Sequence, residues 1–235
     1  MNQSEETLGG ISRCSVFNFE QSWYEILTED EKLLIDSHSV SINFKKGETV
    51  CKRGAFASNI FFLEEGLVKI YLEEKTKNLI INLSKKNNLL GLSAIFDGND
   101  KLPYSIATYT DSTIRMIDIQ IFKQLLKQNP LFSYHIINLL NESTAQIYGR
   151  FFSFTQKQLH GRLADILLCL SNKIFQSKSF DLPLSRADLG DLTGMSTESV
   201  IRMMKEFKDD GLIDMNCKQI ELLDIGRLER ISEFG

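Results

Sequence analysis

The sequence predicts an α+β protein, in which an N-terminal antiparallel β-barrel is followed by a long helix and then by a C-terminal winged helix-turn-helix. Three patterns predict this order. Residues 39–119 contain short segments of alternating apolar and polar residues with glycines between them. Residues 130–153 carry apolar residues three and four positions apart. Residues 184–223 contain two short helical patterns joined by a glycine turn and followed by two short strand patterns.

The alternating segments are typical of half-buried strands, because successive side chains of a strand point to opposite faces of a sheet. Residues 39–44, 60–63, 67–72 and 79–83 are examples. Short strands at regular spacing, separated by turns, indicate an antiparallel sandwich or barrel. The glycines that separate these segments are Gly47, Gly54, Gly66, Gly91 and Gly98.

The helical pattern begins with Ile121, Phe122 and Leu125, and Asn129-Pro130 ends this first helix. Pro130 suits the first turn of a second helix, which should span roughly 24 residues or about 36 Å. Its apolar surface is wide, so one stripe can pack on the barrel while another stays exposed. We expect the exposed stripe to pair two subunits in a homodimer. A helix buried wholly inside one domain is the alternative.

The most informative segment begins at Ser185, which forms a predicted capping box with Asp188 at the start of a short helix. Gly194-Met195-Ser196 then forms a tight turn, and Ser196 caps a second helix that ends before Gly211. The buried face of this second helix is predicted to consist of Val200, Met203, Met204 and Phe207. Residues 212–214 and 219–222 are predicted to form a two-stranded wing, joined through Asn216-Cys217-Lys218.

The opposite face of the second helix carries Glu198, Arg202 and Lys205, with Thr197 at its start. A recognition helix presents such N-terminal residues to base edges in the major groove of DNA. Arg202 can donate two hydrogen bonds to guanine, and Glu198 can accept one from the cytosine amino group. Because the two residues are four apart, they can also hold each other in place. A solvated ion pair without function is the alternative.

Composition sets limits on other functions. The chain has 235 residues and a formal net charge of −4, which counts against nucleic-acid binding unless one face is locally basic. It has no apolar run of about eighteen residues and no signal-peptide pattern, so a cytoplasmic location is expected. Cys14, Cys51, Cys169 and Cys217 form no C-x-x-C pair, and an iron–sulfur cluster or structural zinc site is therefore not expected.

A metal-dependent barrel enzyme is the competing class, and it needs clustered histidines. His38, His135 and His160 are far apart in the sequence. We therefore expect neither a metal site nor catalytic residues. A joint near residues 154–158 divides the chain into a sensor domain with the dimerisation helix, residues 1–153, and a DNA-binding domain, residues 154–235.

These patterns resemble the Crp/Fnr family of bacterial transcription regulators over nearly the whole chain. Residues 122–130 resemble the family's segment before the dimer helix. The start of its DNA-binding domain resembles Gly161-Arg162-Leu163-Ala164. Its two recognition motifs resemble Ser185-Arg186-x-Asp188-Leu189-Gly190 and Ser196-Thr197-Glu198-Ser199-Val200-Ile201-Arg202. The resemblance implies a cyclic-nucleotide-binding-like jelly roll, a homodimer, a palindromic DNA site with TGA in its half-sites, and RNA polymerase as a partner.

The resemblance also assigns residues by position. Glu198 and Arg202 match the family's base-reading pair, and Thr197 occupies a base-reading position that varies within the family. Residues that match phosphate contacts are Arg186, Ser196 and Lys218. Ser199 and Lys205 complete the predicted DNA-binding set.

The predicted sensor departs from the cyclic-AMP branch of the family, which holds its nucleotide with a Gly-Glu pair and an Arg-Ser pair. Leu92 and Tyr104 stand where that branch has glutamate and arginine, so the charge of a cyclic phosphate would be unpaired. Tight cyclic-AMP binding is therefore not expected. The predicted effector pocket consists of Gly91, Leu92, Ser93, Tyr104, Ser105, Ile147 and Tyr148.

The sequence leaves several candidates for the effector. Haem is one candidate, with His38, His135 or Cys14 as an iron ligand. A redox pair of Cys14 with Cys51 is another, and a sensor with no effector is a third. A sensor that acts through protein partners without binding DNA is the alternative to the regulator hypothesis.

Overall fold

A computed structural model describes residues 16–17, 23–75, 78–96, 98 and 100–235. The chain forms two compact units there, Phe17–Ser143 and Thr144–Gly235. No described helix is both long and apolar enough to cross a membrane. Cys14 lies outside the described residues, so the roles suggested for it remain predictions.

Two sheets form the N-terminal part of the fold. Their strands are β1 (Val16–Phe17), β2 (Ser39–Phe44), β3 (Thr49–Cys51), β4 (Asn59–Glu65), β5 (Leu67–Glu73), β6 (Asn78–Lys85), β7 (Asn88–Leu90), β8 (Ser105–Thr108) and β9 (Ser112–Asp118). The strand orders are β1-β6-β5-β8-β3 and β2-β9-β4-β7. Neighbouring strands such as β5 and β6 (Leu67↔Lys85) or β4 and β9 (Phe61↔Met116) run antiparallel.

Side chains from both sheets pack together in one common core. Ile60 of β4 and Ile114 of β9 come from one sheet, and Val68 of β5 and Ile106 of β8 come from the other. All four are fully buried. Burying apolar surface on the facing sides of two antiparallel sheets stabilises a sandwich. The predicted antiparallel N-terminal domain is therefore confirmed.

Two helices and an aromatic cluster accompany this core. Helix α1 spans Glu29–Ser37 and helix α2 spans Ile119–Gln128. Asp118 caps α2, because its carboxylate accepts hydrogen bonds from the first backbone N–H groups of the helix. Trp23, Phe122 and Phe132 pack edge to face or tilted, with ring centroids 5.2 to 6.4 Å apart.

Helix α3 spans Pro130–Gln156 and is 27 residues long. It begins at Pro130 as predicted, and the side chain of Asn129 accepts a hydrogen bond from the N–H of Phe132. Phe132, Ile136 and Leu139 are buried. The predicted exposed stripe is confirmed for the single chain, and it consists of Leu131, Tyr134, Ile137, Ile147, Tyr148, Phe151 and Phe152.

The C-terminal unit contains the predicted pair of short helices. Its elements are α4 (Leu159–Cys169), a π-type turn (Leu170–Phe175), β10 (Ser179–Asp181), α5 (Arg186–Thr193), α6 (Thr197–Asp209), β11 (Ile213–Asn216), β12 (Gln219–Leu222) and α7 (Ile225–Phe234). The break between α3 and α4 lies at Lys157-Gln158, inside the predicted joint.

The wing differs from the prediction in two respects. It has three strands in the order β10-β12-β11, because Phe180 of β10 pairs with Ile220 of β12. The hairpin turn is also tighter than predicted, since Asn216 already pairs with Gln219 and only Cys217 and Lys218 connect the strands. Strand β10 is three residues long and follows a polar loop, so the alternation of its residues is too short to predict a strand.

Candidate nucleic-acid interface

The turn between α5 and α6 has the geometry of a helix-turn-helix. The hydroxyl of Ser185 accepts a hydrogen bond from the N–H of Asp188, and the Asp188 carboxylate accepts one from the N–H of Ser185. Helix α5 ends at Gly194, whose φ of 69° favours glycine. Ser196 then caps α6 by accepting from the N–H of Ser199 at 3.1 Å. The predicted capping box and N-cap are therefore confirmed.

Gly190 allows the two helices to approach closely. A Cβ atom at this position would lie 2.8 Å from the carbonyl oxygen of Met195. Such a distance is shorter than van der Waals contact, so a larger residue would push α5 away from the turn. The N–H of Met195 donates to the carbonyl of Gly190 at 3.0 Å in the same place.

Helix α6 has one buried face and one exposed face. Val200, Met203, Met204 and Phe207 are at most 2% exposed and form the buried face, as predicted. The outward face carries exposed side chains of opposite charge together with one apolar residue: Glu198, Ile201, Arg202 and Lys205. Thr197 and Ser199 are half-buried beside them.

Glu198 and Arg202 do not pair with each other, which corrects the expectation drawn from their spacing. Arg202 faces Glu206 instead, with Nε 3.7 Å from Oε1. The Glu198 carboxylate binds its own backbone N–H and the Ser196 hydroxyl, and these hydrogen bonds lower the pKa of Glu198. The first N–H groups of a helix have no intrahelical partner and attract negative charge. Glu198 is therefore an ionised acceptor at the start of α6.

The residues matched to phosphate contacts differ in their surroundings. Ser196 is exposed at the N-terminus of α6, and Lys218 is exposed in the wing turn. Arg186 is half-buried, and its guanidinium contacts the sulfur of Met215 in β11 at 3.6 Å. Burial lowers the pKa of Arg186. Lys208, which the sequence did not single out for function, joins α6 to the wing by donating to the carbonyl of Met215 at 2.9 Å and pairing with Asp214.

A junction of the buried Arg150 with the half-buried Phe154 and Arg162 anchors the helix-turn-helix. Arg150 donates to the carbonyl of Leu192 at 2.7 Å, and Arg162 donates to the carbonyl of Phe154 at 2.7 Å. Both guanidinium groups lie over the Phe154 ring, 5.0 and 5.9 Å from its centroid. Burial lowers the pKa of Arg150 to about 9, so the group stays charged at neutral pH. The sequence carried no signal for this junction beyond its arginines.

A buried ion pair lies beside the junction. The Lys157 ammonium is 2.6 Å from the Asp165 carboxylate, and their side chains are 4% and 13% exposed. Asp165 also accepts hydrogen bonds from Ser153 and Ser232. Because a buried carboxylate needs several partners, this network holds the break between α3 and α4 in one geometry.

The residues predicted for the effector pocket are partly brought together. The N–H of Gly91 donates to the Tyr104 hydroxyl at 3.0 Å, and Ser93 also hydrogen-bonds that hydroxyl. Burial raises the pKa of Tyr104. Ser105 is fully buried and accepts from the N–H of Arg53. Leu92 is half-buried next to Gly91.

Ile147 and Tyr148, assigned to the same pocket, lie on exposed turns of α3 in the C-terminal unit. Their part in an effector pocket therefore stays a prediction.

Among the residues suggested as iron ligands or as a redox thiol, the structure describes His38, His135 and Cys51. His38 Nδ1 hydrogen-bonds the carbonyl of Leu34 at 2.9 Å. His135 is buried, and burial lowers its pKa. The thiol of Cys51 is free and half-buried, and burial raises its pKa to about 12. No group of three or more potential metal-ligating side chains occurs in the part of the chain that the structure describes.

Comparisons with known proteins agree with this geometry. The Crp-like helix-turn-helix domain family matches residues 161–231, and the cyclic nucleotide-binding domain family matches residues 41–129. The chain is 22% identical to the transcriptional activator protein FnrA of Stutzerimonas stutzeri over 185 residues, covering 77% of this chain and 75% of that protein. It is also 22% identical to the cAMP-activated global transcriptional regulator CRP of Escherichia coli over 195 residues, covering 78% and 90%.

Solved structures show the same fold. A transcriptional regulator of the Crp/Fnr family from Eubacterium rectale superposes with a TM-score of 0.75 at 18% identity, covering 91% of this chain and 98% of that one. FixK2 from Bradyrhizobium japonicum superposes with a TM-score of 0.75 at 16% identity, covering 82% and 96%. From its two matched domains and these relatives, the chain belongs to the Crp/Fnr family of DNA-binding transcription regulators.

Proposed function

We propose that the chain acts as a homodimer that binds palindromic duplex DNA through its two α6 helices, under the control of a signal received by residues 1–153. The observation that carries the proposal is the outward face of α6, where an ionised Glu198 and an exposed Arg202 follow a capped helix N-terminus. Two such helices read half-sites about one DNA turn, roughly 34 Å, apart. RNA polymerase is the expected protein partner.

The chemistry of base reading follows from these side chains. The Arg202 side chain is 69% exposed, and its guanidinium can donate to both O6 and N7 of a guanine. The Glu198 carboxylate can accept from the amino group of a cytosine. Thr197 and Lys205 lie beside them on α6. Three residues are suited to phosphate contacts, which position the protein without reading sequence: Arg186, Ser196 and Lys218. Ser199 completes the DNA-binding set.

Replacement of Arg202 tests the reading of bases. Arg202→Ala should lower affinity for the selected site by about 1–3 kcal/mol, or roughly 5- to 150-fold, because the bidentate contact is lost. Arg230→Ala on α7 is the matched control, since Arg230 is also an exposed helical arginine. Selection of bound sites from random DNA, repeated with each variant, measures the effect. Unchanged sequence preference of Arg202→Ala would contradict the assigned role.

The dimer is tested on the exposed stripe of α3. Phe151 is 69% exposed, and an aromatic residue of that exposure is typical of an interface. Phe151→Glu should convert a dimer to a monomer and weaken binding to a full palindromic site, because a charge would be buried between two subunits. Leu33→Glu is the control, since Leu33 is a similarly exposed apolar residue, 66% exposed, on a different helix, α1. Sedimentation velocity distinguishes the two states, and a wild-type monomer would refute the dimer.

Cyclic AMP is not expected as the signal. The relative from Escherichia coli is cAMP-activated, but Leu92 and Tyr104 stand where that branch of the family has its charged nucleotide ligands. The Tyr104 hydroxyl also already accepts the Gly91 N–H. Calorimetry with cyclic AMP at micromolar concentrations should therefore give no binding heat. A clear binding isotherm would contradict this expectation.

A further inference from the structure

Ile201 is the one apolar residue of helix α6 that the fold leaves largely in solvent. It is 53% exposed, whereas the other large apolar residues of the helix, Val200, Met203, Met204 and Phe207, are at most 2% exposed. Those four buried residues supply the packing of α6. Isoleucine also has a lower helix propensity than leucine or alanine. Neither packing nor helix formation therefore accounts for an isoleucine at this position.

The position of Ile201 relates it to the DNA-binding set. It follows Thr197 by four residues and Glu198 by three, and it precedes Lys205 by four. Residues three and four apart are neighbours on the surface of a helix. Ile201 therefore lies within the outward face, between the residues that the proposed function assigns to DNA. It is also the fifth residue of α6, in the N-terminal part that a recognition helix inserts into the major groove.

The major groove offers a single apolar group at base edges. Guanine, cytosine and adenine present hydrogen-bond donors and acceptors there, and thymine presents an acceptor together with its C5-methyl group. The methyl group is the chemical partner of a branched aliphatic side chain. We propose that Ile201 is a specificity-determining residue that contacts the C5-methyl group of a thymine in each half-site. The proposal rests on the proposed function, because it requires α6 to lie in the major groove.

A single exposed apolar residue is common on protein surfaces, so the test must isolate the methyl group. Deoxyuridine in place of thymine removes that methyl and keeps the base pair and its other major-groove groups. Each thymine of the selected site is replaced in turn, symmetrically in both half-sites. Binding of the full-length wild-type protein is then measured by fluorescence anisotropy.

We expect one thymine position at which deoxyuridine weakens wild-type binding by about fourfold per half-site, which corresponds to the burial of one methyl group. Ile201→Ala should bind thymine and deoxyuridine equally at that position. Ile201→Val should keep most of the discrimination, because it retains a branched side chain. Lys205→Ala should weaken binding to both DNAs and keep their ratio.

The outcomes separate this proposal from the function on which it rests. A wild-type protein that selects its site yet is indifferent to deoxyuridine at every thymine would overturn the role of Ile201 and leave the DNA-binding function intact. A selected half-site without thymine would likewise overturn the role of Ile201. So would an Ile201→Ala variant that still binds thymine more tightly than deoxyuridine. A wild-type protein that selects no DNA sequence would overturn both. Circular dichroism checks the fold of Ile201→Ala, and Ile201→Ser is the second variant.

Discussion

The junction and the outward face of α6 use the same type of side chain in opposite ways. Arg150 in the junction is 7% exposed and donates to the carbonyl of Leu192. Arg202 on α6 has a side chain that is 69% exposed and makes only a 3.7 Å contact with Glu206. One guanidinium is committed to the last turn of α5, and the other is directed at solvent.

The difference indicates which arginine serves the fold and which serves a partner. A buried charged donor costs free energy unless it finds an acceptor, and Arg150 finds one in the Leu192 carbonyl. An exposed arginine with a weak surface ion pair contributes little to stability. It therefore loses little when it exchanges Glu206 for a base edge. The following predictions test this division between the two regions.

The largest effect is expected at the junction. Arg150→Ala should lower the free energy of unfolding by about 2–4 kcal/mol, because the buried Leu192 carbonyl loses this donor and a cavity opens beside Phe154. Urea unfolding followed by circular dichroism measures the change.

Arg227→Ala is the matched control for Arg150→Ala. Arg227 also donates to a carbonyl near the end of a helix, that of Asp210 at 3.2 Å, but it is exposed. Its replacement should cost less than about 0.5 kcal/mol. Equal losses in the two variants would show that burial does not distinguish the two arginines.

Arg202→Ala should instead lower DNA affinity and leave the stability of the fold nearly unchanged. The expected loss of roughly 5- to 150-fold in affinity for the selected site should come with a change of less than about 0.5 kcal/mol in the free energy of unfolding. The same urea titrations and binding assays measure both quantities. A large loss of stability would place Arg202 among the residues that hold the fold and would remove the contrast with Arg150.

Of the three sites, Ser196 is expected to give the smallest effect, and it serves both the fold and the partner: it caps α6 and is matched to a phosphate contact. Ser196→Ala should lower the free energy of unfolding by about 1 kcal/mol, because the N–H of Ser199 loses its cap. Ser196→Asp should restore the cap and hence the stability. Its negative charge should nevertheless weaken DNA binding if Ser196 lies near a phosphate. Full affinity in Ser196→Asp would contradict the phosphate contact.

Local signals account for the parts of the site that could be predicted. The capping residues Ser185 and Ser196 and the left-handed Gly194 specify where α5 and α6 begin and end, because each satisfies backbone requirements within a few residues. The spacing of Val200, Met203, Met204 and Phe207 then specifies which face of α6 is buried. The remaining side chains of α6 then form its outward face.

The parts that could not be predicted depend on contacts between distant residues. Strand β10 exists because Phe180 pairs with Ile220, forty residues later in the chain. The pairing of Arg202 with Glu206 and of Glu198 with the helix N-terminus depends on side-chain conformation, which residue spacing does not specify. The burial of Arg150 depends on Leu192, a partner 42 residues away.

The sequence alone therefore determined the kinds of element, their order and the face that α6 turns outward, because capping, turn conformation and apolar periodicity act over a few residues. The tertiary structure alone decided which arginine is buried and which carboxylate each charged group meets. Those outcomes depend on packing between elements, where burial changes the free energy of a charged or apolar side chain.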